Sequence, residues 1–180
     1  MIYTCEVNTP LGAMTATAEH EALTGLWFIG QKYYPLRTDS WVCKNDHPLF
    51  EALRHQLANY FGAKSREFDL PLAPHGSPFQ HAVWDILLKI PYGNIVAYGD
   101  IARNLARTRG LVTMSAQAVG GAVGHNPISI LIPCHRVVGS NRSLTGYAGG
   151  LTKKESLLKL EGVSLDIAAW GGRPDLSLFC

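Results

Sequence analysis

Residues 63–78, Ala-Lys-Ser-Arg-Glu-Phe-Asp-Leu-Pro-Leu-Ala-Pro-His-Gly-Ser-Pro, constrain this chain more than any other stretch. They hold three prolines and no apolar periodicity. Proline lacks a backbone donor and pushes the residue before it out of helical geometry. No helix or central strand therefore runs through this segment, and it divides the chain of 180 residues into two parts with different patterning.

The first part reads as strands and then a helix. Met1–Asn8 leads into the turn Thr9-Pro10-Leu11-Gly12, alternation resumes over Ala13–Ala18, and Leu23–Ile29 is compact and β-rich. Asp46-His47-Pro48 predicts a helix start with proline at its first position. Leu49, Phe50, Leu53, Leu57, Tyr60 and Phe61 then recur at helical spacing as far as Gly62. His20, His47 and His55 form no ligand pattern.

The second part is mainly helical. Ser77-Pro78 predicts the cap of a helix whose apolar face is Phe79, Val83, Trp84, Leu87 and Leu88, ending at Pro91-Tyr92-Gly93. Ile95-Val96-Ala97 is a short extended piece. Tyr98–Ala106 and a second helix from Ser115 to about Gly124 form a helix-turn-helix candidate, joined by the long connector Arg107–Met114. The second helix is rich in glycine and alanine, which lets a backbone approach closely to another helix or to a DNA groove. The apolar run before Pro133 reads as a strand. The expected fold is α/β (α+β): a β-rich N-terminal domain over 1–70, a linker over 71–78, a mostly helical, winged-helix-like domain over 79–163, and a tail over 164–180.

Composition narrows the class. The chain is 47% hydrophobic and 17% charged, enough for a packed core, and no run is long enough to span a bilayer. The first residues lack a basic segment followed by an apolar one, so a soluble, cytoplasmic, monomeric protein is expected. Cys5, Cys43, Cys134 and Cys180 are scattered without a Cys-x-x-Cys pair, against a disulfide framework and a zinc knuckle. Residues 1–78 carry six Lys/Arg against eight Asp/Glu, whereas residues 79–162 carry nine against four. That basic excess suits phosphate binding, and an ordinary solvated surface fits it equally well.

The second part also carries the chemistry. In Ile132-Pro133-Cys134-His135-Arg136-Val137, a thiol stands beside an imidazole. A cysteine attacks as thiolate, and a nearby histidine is a standard way to reach that state. Adjacent side chains on a strand point to opposite faces, so Cys134 and His135 need a turn after Pro133 or a bridging water. Taken alone, Cys134 also fits a small buried hydrophobe. Glu161, just before Gly162, fits either a carboxylate that orients His135 or a plain charged residue in the last turn of a helix. Asn126 before Pro127 is a common turn pair, and Tyr98 fits simple packing at a helix start. Tyr147, among Gly146, Gly149 and Gly150, suits stacking on a planar base.

Together, Pro133-Cys134-His135-Arg136-Val137, Asn126-Pro127, Tyr147-x-Gly149-Gly150 and Lys154-Glu155 resemble the active-site domain of the O6-alkylguanine-DNA alkyltransferases. The resemblance is close over residues 78–162 and loose before them. It implies DNA repair by irreversible, single-turnover transfer of an alkyl group from O6-alkylguanine, and possible extension to O4-alkylthymine, onto Cys134. It implies that His135 acts through water as a base, that Glu161 holds His135, that Asn126 braces the turn before the cysteine, and that Tyr98 assists the leaving guanine. Tyr147, Val123, Val137, Ser140, Ala148 and Gly149 would line the base pocket. Gln117, Ala116, Gly99, Arg107, Arg109 and Arg136 would face DNA. No cofactor, metal or obligate protein partner is implied; the partner is double-stranded DNA carrying O6-alkylguanine, with no membrane.

Two positions depart from the family pattern. Gln117 stands where an arginine usually fills the gap left by a flipped base, and Gln is shorter and neutral. The connector with Arg107, Thr108 and Arg109 is longer than usual. The alternative of another class is a non-catalytic lesion sensor that binds alkylated DNA and recruits other factors. A methylation-responsive regulator and a cysteine hydrolase rank below it.

Overall fold

The computed structural model describes residues 1–36 and 39–164. Most of the expected tail, residues 165–180, therefore lies outside the described residues. The chain forms two compact units. One is Met1–His75 with Pro127–Leu131; the other begins at Gly76, runs to Asn126 and resumes at Ile132.

The first unit is a four-stranded sheet with one helix. Strands β1 (Ile2–Thr9), β2 (Gly12–Glu19), β3 (Ala22–Phe28) and β4 (Trp41–Cys43) lie in the order β3-β2-β1-β4. The hairpins are antiparallel, and β4 joins β1 in parallel with Ile2 opposite Trp41. The β2–β3 turn puts His20 (φ 46°) and Glu21 (φ 65°) in the left-handed region, the geometry of a two-residue hairpin turn that matches strand twist. Helix α1 (Pro48–Phe61) starts as the sequence predicts, with His47 as cap: its Nδ1 accepts from the amide of Leu49 at 3.2 Å. Leu49, Phe50, Leu53, Leu57 and Tyr60 of α1 are buried, as are Cys5, Val7, Met14, Ala16, Leu26 and Phe28 of the sheet.

The proline segment is not a free linker throughout. The amide of Leu23 donates to Pro71 O and that of Ala73 to Leu23 O, each at 2.8 Å. The amides of Leu26 and Ser129 bond in the same fashion to Pro127 O and Leu26 O, at 2.8 and 2.9 Å. An open strand edge exposes unpaired amides and carbonyls. Two short segments cover that edge of β3, which is why residues 127–131 belong with this unit.

The second unit is a helical cluster. Helix α2 (Pro78–Leu88) opens on a capping box, in which Ser77 Oγ accepts from the Gln80 amide and Gln80 Oε1 from the Ser77 amide. Strand β5 (Val96–Ala97) leads directly into α3 (Tyr98–Thr108), and α4 (Ala116–Gly124) follows, capped by Ser115. Trp84 of α2 is buried and donates to Ala122 O of α4 at 2.9 Å, tying these helices together. Strand β6 (Val137–Val138) pairs in parallel with β5, and α5 (Leu151–Leu160) closes the unit. This mixed fold, with a sheet-based first unit and a helical second one, matches the expected α+β class. Among the described residues, no helix is long and apolar enough to cross a membrane.

The expected strand before Pro133 is a correction. Residues 129–134 instead make two successive tight turns: Leu131 donates to Ser129 O at 2.9 Å, and Cys134 to Ile132 O at 2.8 Å. Ile130, at the centre of the first, has φ 73°. Pro133, at the centre of the second, has φ −81° and ψ 65°, the inverse γ-turn. The apolar side chains are buried as in a strand, but only Ile128 forms a bridge, to Leu26. Four branched apolar residues and one serine over 128–132 cannot tell a buried strand from buried turns by periodicity.

Candidate active site

The turn at Pro133 delivers the chain into a single 3₁₀ turn, Cys134–Arg136. That geometry resolves the adjacency problem: on a tight helical turn, neighbouring side chains are not sent to opposite faces as on a strand. All three residues are buried, Cys134 with 6% of its surface exposed and His135 with none. Asn126, at the end of α4, donates from Nδ2 to Ile132 O at 2.8 Å, bracing the turn from outside. Its amide also faces the Cys134 sulfur.

His135 Nε2 lies 2.8 Å from Glu161 Oε1, and both side chains are fully buried. Glu161 caps α5. Burial opposes its ionisation, but the hydrogen bonds from His135 and Arg136 outweigh that and hold its carboxyl well below the usual carboxylate range. A carboxylate only accepts, so Nε2 carries the proton and Nδ1 is the bare nitrogen. Nδ1 is buried and has no protein partner. Burial drives the His135 pKa down; Glu161 pulls it back, and Arg136 and Lys154 push it down again. Burial also raises the Cys134 thiol above its ordinary value, with Asn126 and Lys154 opposing. At rest the pair is therefore thiol and neutral imidazole.

Tyr98, the first residue of α3, donates from its hydroxyl to Thr145 O at 3.2 Å. Its pKa is pushed up to about 12, by burial and then by Cys134. One glycine of α4 has a definite neighbour here: a Cβ on Gly120 would sit 3.8 Å from the Tyr98 ring. Val123 and Val137 are buried, Tyr147, Ala148 and Gly149 are half-buried, and Ser140 is exposed at the start of a second 3₁₀ turn, Ser140–Arg142. Gln117 and Ala116 are exposed in the first turn of α4, and Gly99 lies at the start of α3. Arg107 and Arg109 are exposed at the end of α3, with Arg109 5.6 Å from the centre of the Phe79 ring.

Arg136 is not a surface residue, contrary to its reading as a DNA contact. Its Nε donates to Glu161 Oε2 at 2.9 Å, Nη2 to Oε1 at 2.8 Å and Nη1 to Ile90 O at 2.6 Å. Three of its five N–H donors are spent inside the protein and the group is buried, so it does not face phosphate. The sequence places it two residues after a buried cysteine, on the same tight turn, and only the turn geometry reveals which way it points.

Lys154 belongs to the motif, and the sequence reading gave it no role. It is wholly buried, and its Nζ donates to Val137 O, to Thr145 O at 3.2 Å and to Gly146 O at 3.1 Å. Burial lowers its pKa to about 8. The signal was present: Lys154 precedes Leu157 and Leu158 by three and four positions, the inward face of α5. The ammonium pins the segment 137–146 beside Cys134 and Tyr98. In Lys154→Met, the Thr145 and Gly146 carbonyls can turn to water, but the buried Val137 carbonyl cannot. We expect a loss of about 1–3 kcal/mol in denaturant unfolding; an unchanged midpoint would show that the clamp carries no net stability.

The description "6-O-methylguanine DNA methyltransferase, DNA binding domain" matches residues 78–163, the stretch that holds every one of these side chains. This chain belongs to the 6-O-methylguanine DNA methyltransferase family. The family's ribonuclease-like domain matches residues 1–74. A methylated-DNA–protein-cysteine methyltransferase of Methanosarcina acetivorans is 43% identical over 161 residues, covering 89% of this chain and 99% of the relative. One from Mycobacterium tuberculosis is 42% identical, covering 89% and 93%. The crystal structure of Mycobacterium tuberculosis OGT in complex with DNA superposes with a TM-score of 0.80 at 41% identity, again covering 89% and 93%.

Proposed function

We propose that this protein repairs DNA by transferring the alkyl group of O6-alkylguanine to Cys134. The observation that carries the reading is the buried Cys134-His135-Glu161 array within the family's DNA-binding domain. The methyltransferase names of the relatives and the DNA complex of a homologous structure support it, and they weigh against the sensor alternative. The substrate is duplex DNA, and the target base must leave the stack to reach a buried sulfur. The exposed first turn of α4, with Ala116 and Gln117, and the exposed Arg107 and Arg109 form the DNA face; Gly99 leaves space beside it.

The chemistry follows from the resting state. His135 Nδ1 takes the thiol proton, directly or through water, as the sulfur attacks the alkyl carbon. A carbon–sulfur bond forms, the bond from that carbon to guanine O6 breaks, and its electron pair stays on guanine. Tyr98, whose raised pKa keeps it protonated, exchanges its bond to Thr145 for one to the departing base. The proton on His135 returns to solvent, and guanine takes one from solvent. The product is a thioether, which no group of the site can cleave, so each molecule reacts once. Tyr147, Val123, Val137, Ser140, Ala148 and Gly149 shape the pocket around the base. Intact-protein mass measurement after mixing with a duplex carrying O6-methylguanine tests the proposal: one added methyl per molecule is expected, and continued turnover by unmodified protein contradicts it.

Gln117 bears on base extrusion. Unstacking costs a few kcal/mol, and a longer, charged, planar side chain fills the vacated space better. Gln117→Arg is expected to speed repair of the duplex lesion several-fold and to leave reaction with free O6-benzylguanine unchanged. If the Arg107 and Arg109 end of α3 does this work instead, Gln117→Arg will be neutral, and their alanine variants will show the duplex-selective loss. Single-turnover rates on both substrates separate the two.

A further inference from the structure

Glu161 serves two basic partners at once. Oε1 accepts from His135 Nε2 and from Arg136 Nη2, both at 2.8 Å; Oε2 accepts from Arg136 Nε at 2.9 Å and from the Gly93 amide at 3.5 Å. Arg136 is itself anchored by Ile90 O and lies 5.8 Å from the centre of the Tyr92 ring. A fork-to-fork arginine–carboxylate pair fixes orientation as well as charge.

We infer that Arg136 is a positioning residue for alkyl transfer: by gripping both oxygens of Glu161 it aims the carboxylate at His135 and takes up its charge, so that His135 stays a neutral proton acceptor. The inference rests on the alkyl-transfer reading above and adds to it a residue with no place in the proton path. A histidine that meets a buried carboxylate alone is drawn toward imidazolium, and an imidazolium cannot accept the thiol's proton. Here the carboxylate is already neutralised. The charged or titratable groups that act on His135 are Glu161 and Lys154 from α5 and Arg136 on its own turn, with the Cys134 thiol as its immediate neighbour. The two cations, Arg136 and Lys154, oppose the one carboxylate. Glu161 thus orients the ring without charging it.

The test is the pH dependence of single-turnover transfer together with nitrogen-15 NMR of the imidazole of His135. In the parent protein, His135 should be neutral at pH 7, with the proton on Nε2. In Arg136→Met, the uncompensated carboxylate should make His135 imidazolium at pH 7 and move the acid limb of the rate profile upward by a pH unit or more. Once the limb stands about one unit above pH 7, the rate there is lowered about tenfold, and the loss disappears at alkaline pH. Arg136→Lys, which keeps the charge but not the fork, should restore the position of the limb and only part of the rate. An imidazolium in the parent at pH 7 overturns the inference. So does an Arg136→Met rate lowered equally at every pH, the mark of a merely structural role. If Arg136→Met does not fold, the parent spectrum and the Arg136→Lys profile decide. A parent that transfers no alkyl group refutes the proposed function instead, while its His135 spectrum still reports on Arg136.

Discussion

Cys134→Ala protein, mixed with a duplex carrying O6-methylguanine, is expected to gain no methyl group at all while binding that duplex as tightly as the parent. The loss is complete because the sulfur is the acceptor: no neighbouring group can take its place. His135 Nδ1, a bare nitrogen of the site, is itself fully buried. Cys5 and Cys43, the other cysteines among the described residues, belong to the first unit. The substitution removes one small atom from a packed turn and should cost no more than about 1 kcal/mol of stability. Binding is expected to survive because the proposed DNA face of Ala116, Gln117, Arg107 and Arg109 is untouched. Intact mass, peptide mapping and gel shift together give the answer. A methyl found on another residue, or on the Cys134→Ala chain, would overturn the assignment.

The second large effect concerns the proton. His135→Ala is expected to slow transfer at pH 7 by about 10²–10⁴-fold, the usual contribution of a general base. The pH dependence distinguishes this from a packing defect. Burial holds the Cys134 thiol above its ordinary pKa, so without a local base the thiolate must form by loss of its proton to solvent. The variant rate should then climb about tenfold per pH unit through neutrality. The parent, whose His135 pKa is lowered, should stay nearly flat over the same range. Glu161→Gln should also lose rate, but it leaves the Arg136 guanidinium buried beside a neutral amide, which is destabilising; its rate is to be compared with its thermal midpoint. A His135→Ala rate parallel to the parent's at all pH values would remove His135 from the proton path.

Much of the fold was readable because local signals agreed with it. Ser77-Pro78 with Gln80, Pro48 after His47, and Ser115 before the α4 run are end signals that need no tertiary information. The array at Cys134 was readable in part. The pairing of His135 with Glu161 is a long-range contact, which the residues left open against a plain charged helix end and the resemblance favoured. What escaped depended on direction. Arg136 and Lys154 look like surface cations, since an isolated buried charge is costly. Both are buried because specific partners meet them: a carboxylate for one and three carbonyls for the other. The run before Pro133 escaped for a different reason. Its residues favour strands, and tertiary packing overrides that preference by placing Ile130 in the left-handed region, a rare conformation for a β-branched residue.

Helix α5 carries both Lys154 near its start and Glu161 at its end, about two helical turns apart. One rigid rod therefore sets the place of the pocket segment and of the carboxylate together. Inserting or deleting a single residue between them would rotate one against the other by about 100°. No sliding of the helix could then satisfy both ends. The spacing from Lys154 to Glu161 works as a ruler, so length variation across relatives should collect in the loops before α5 and be absent within it.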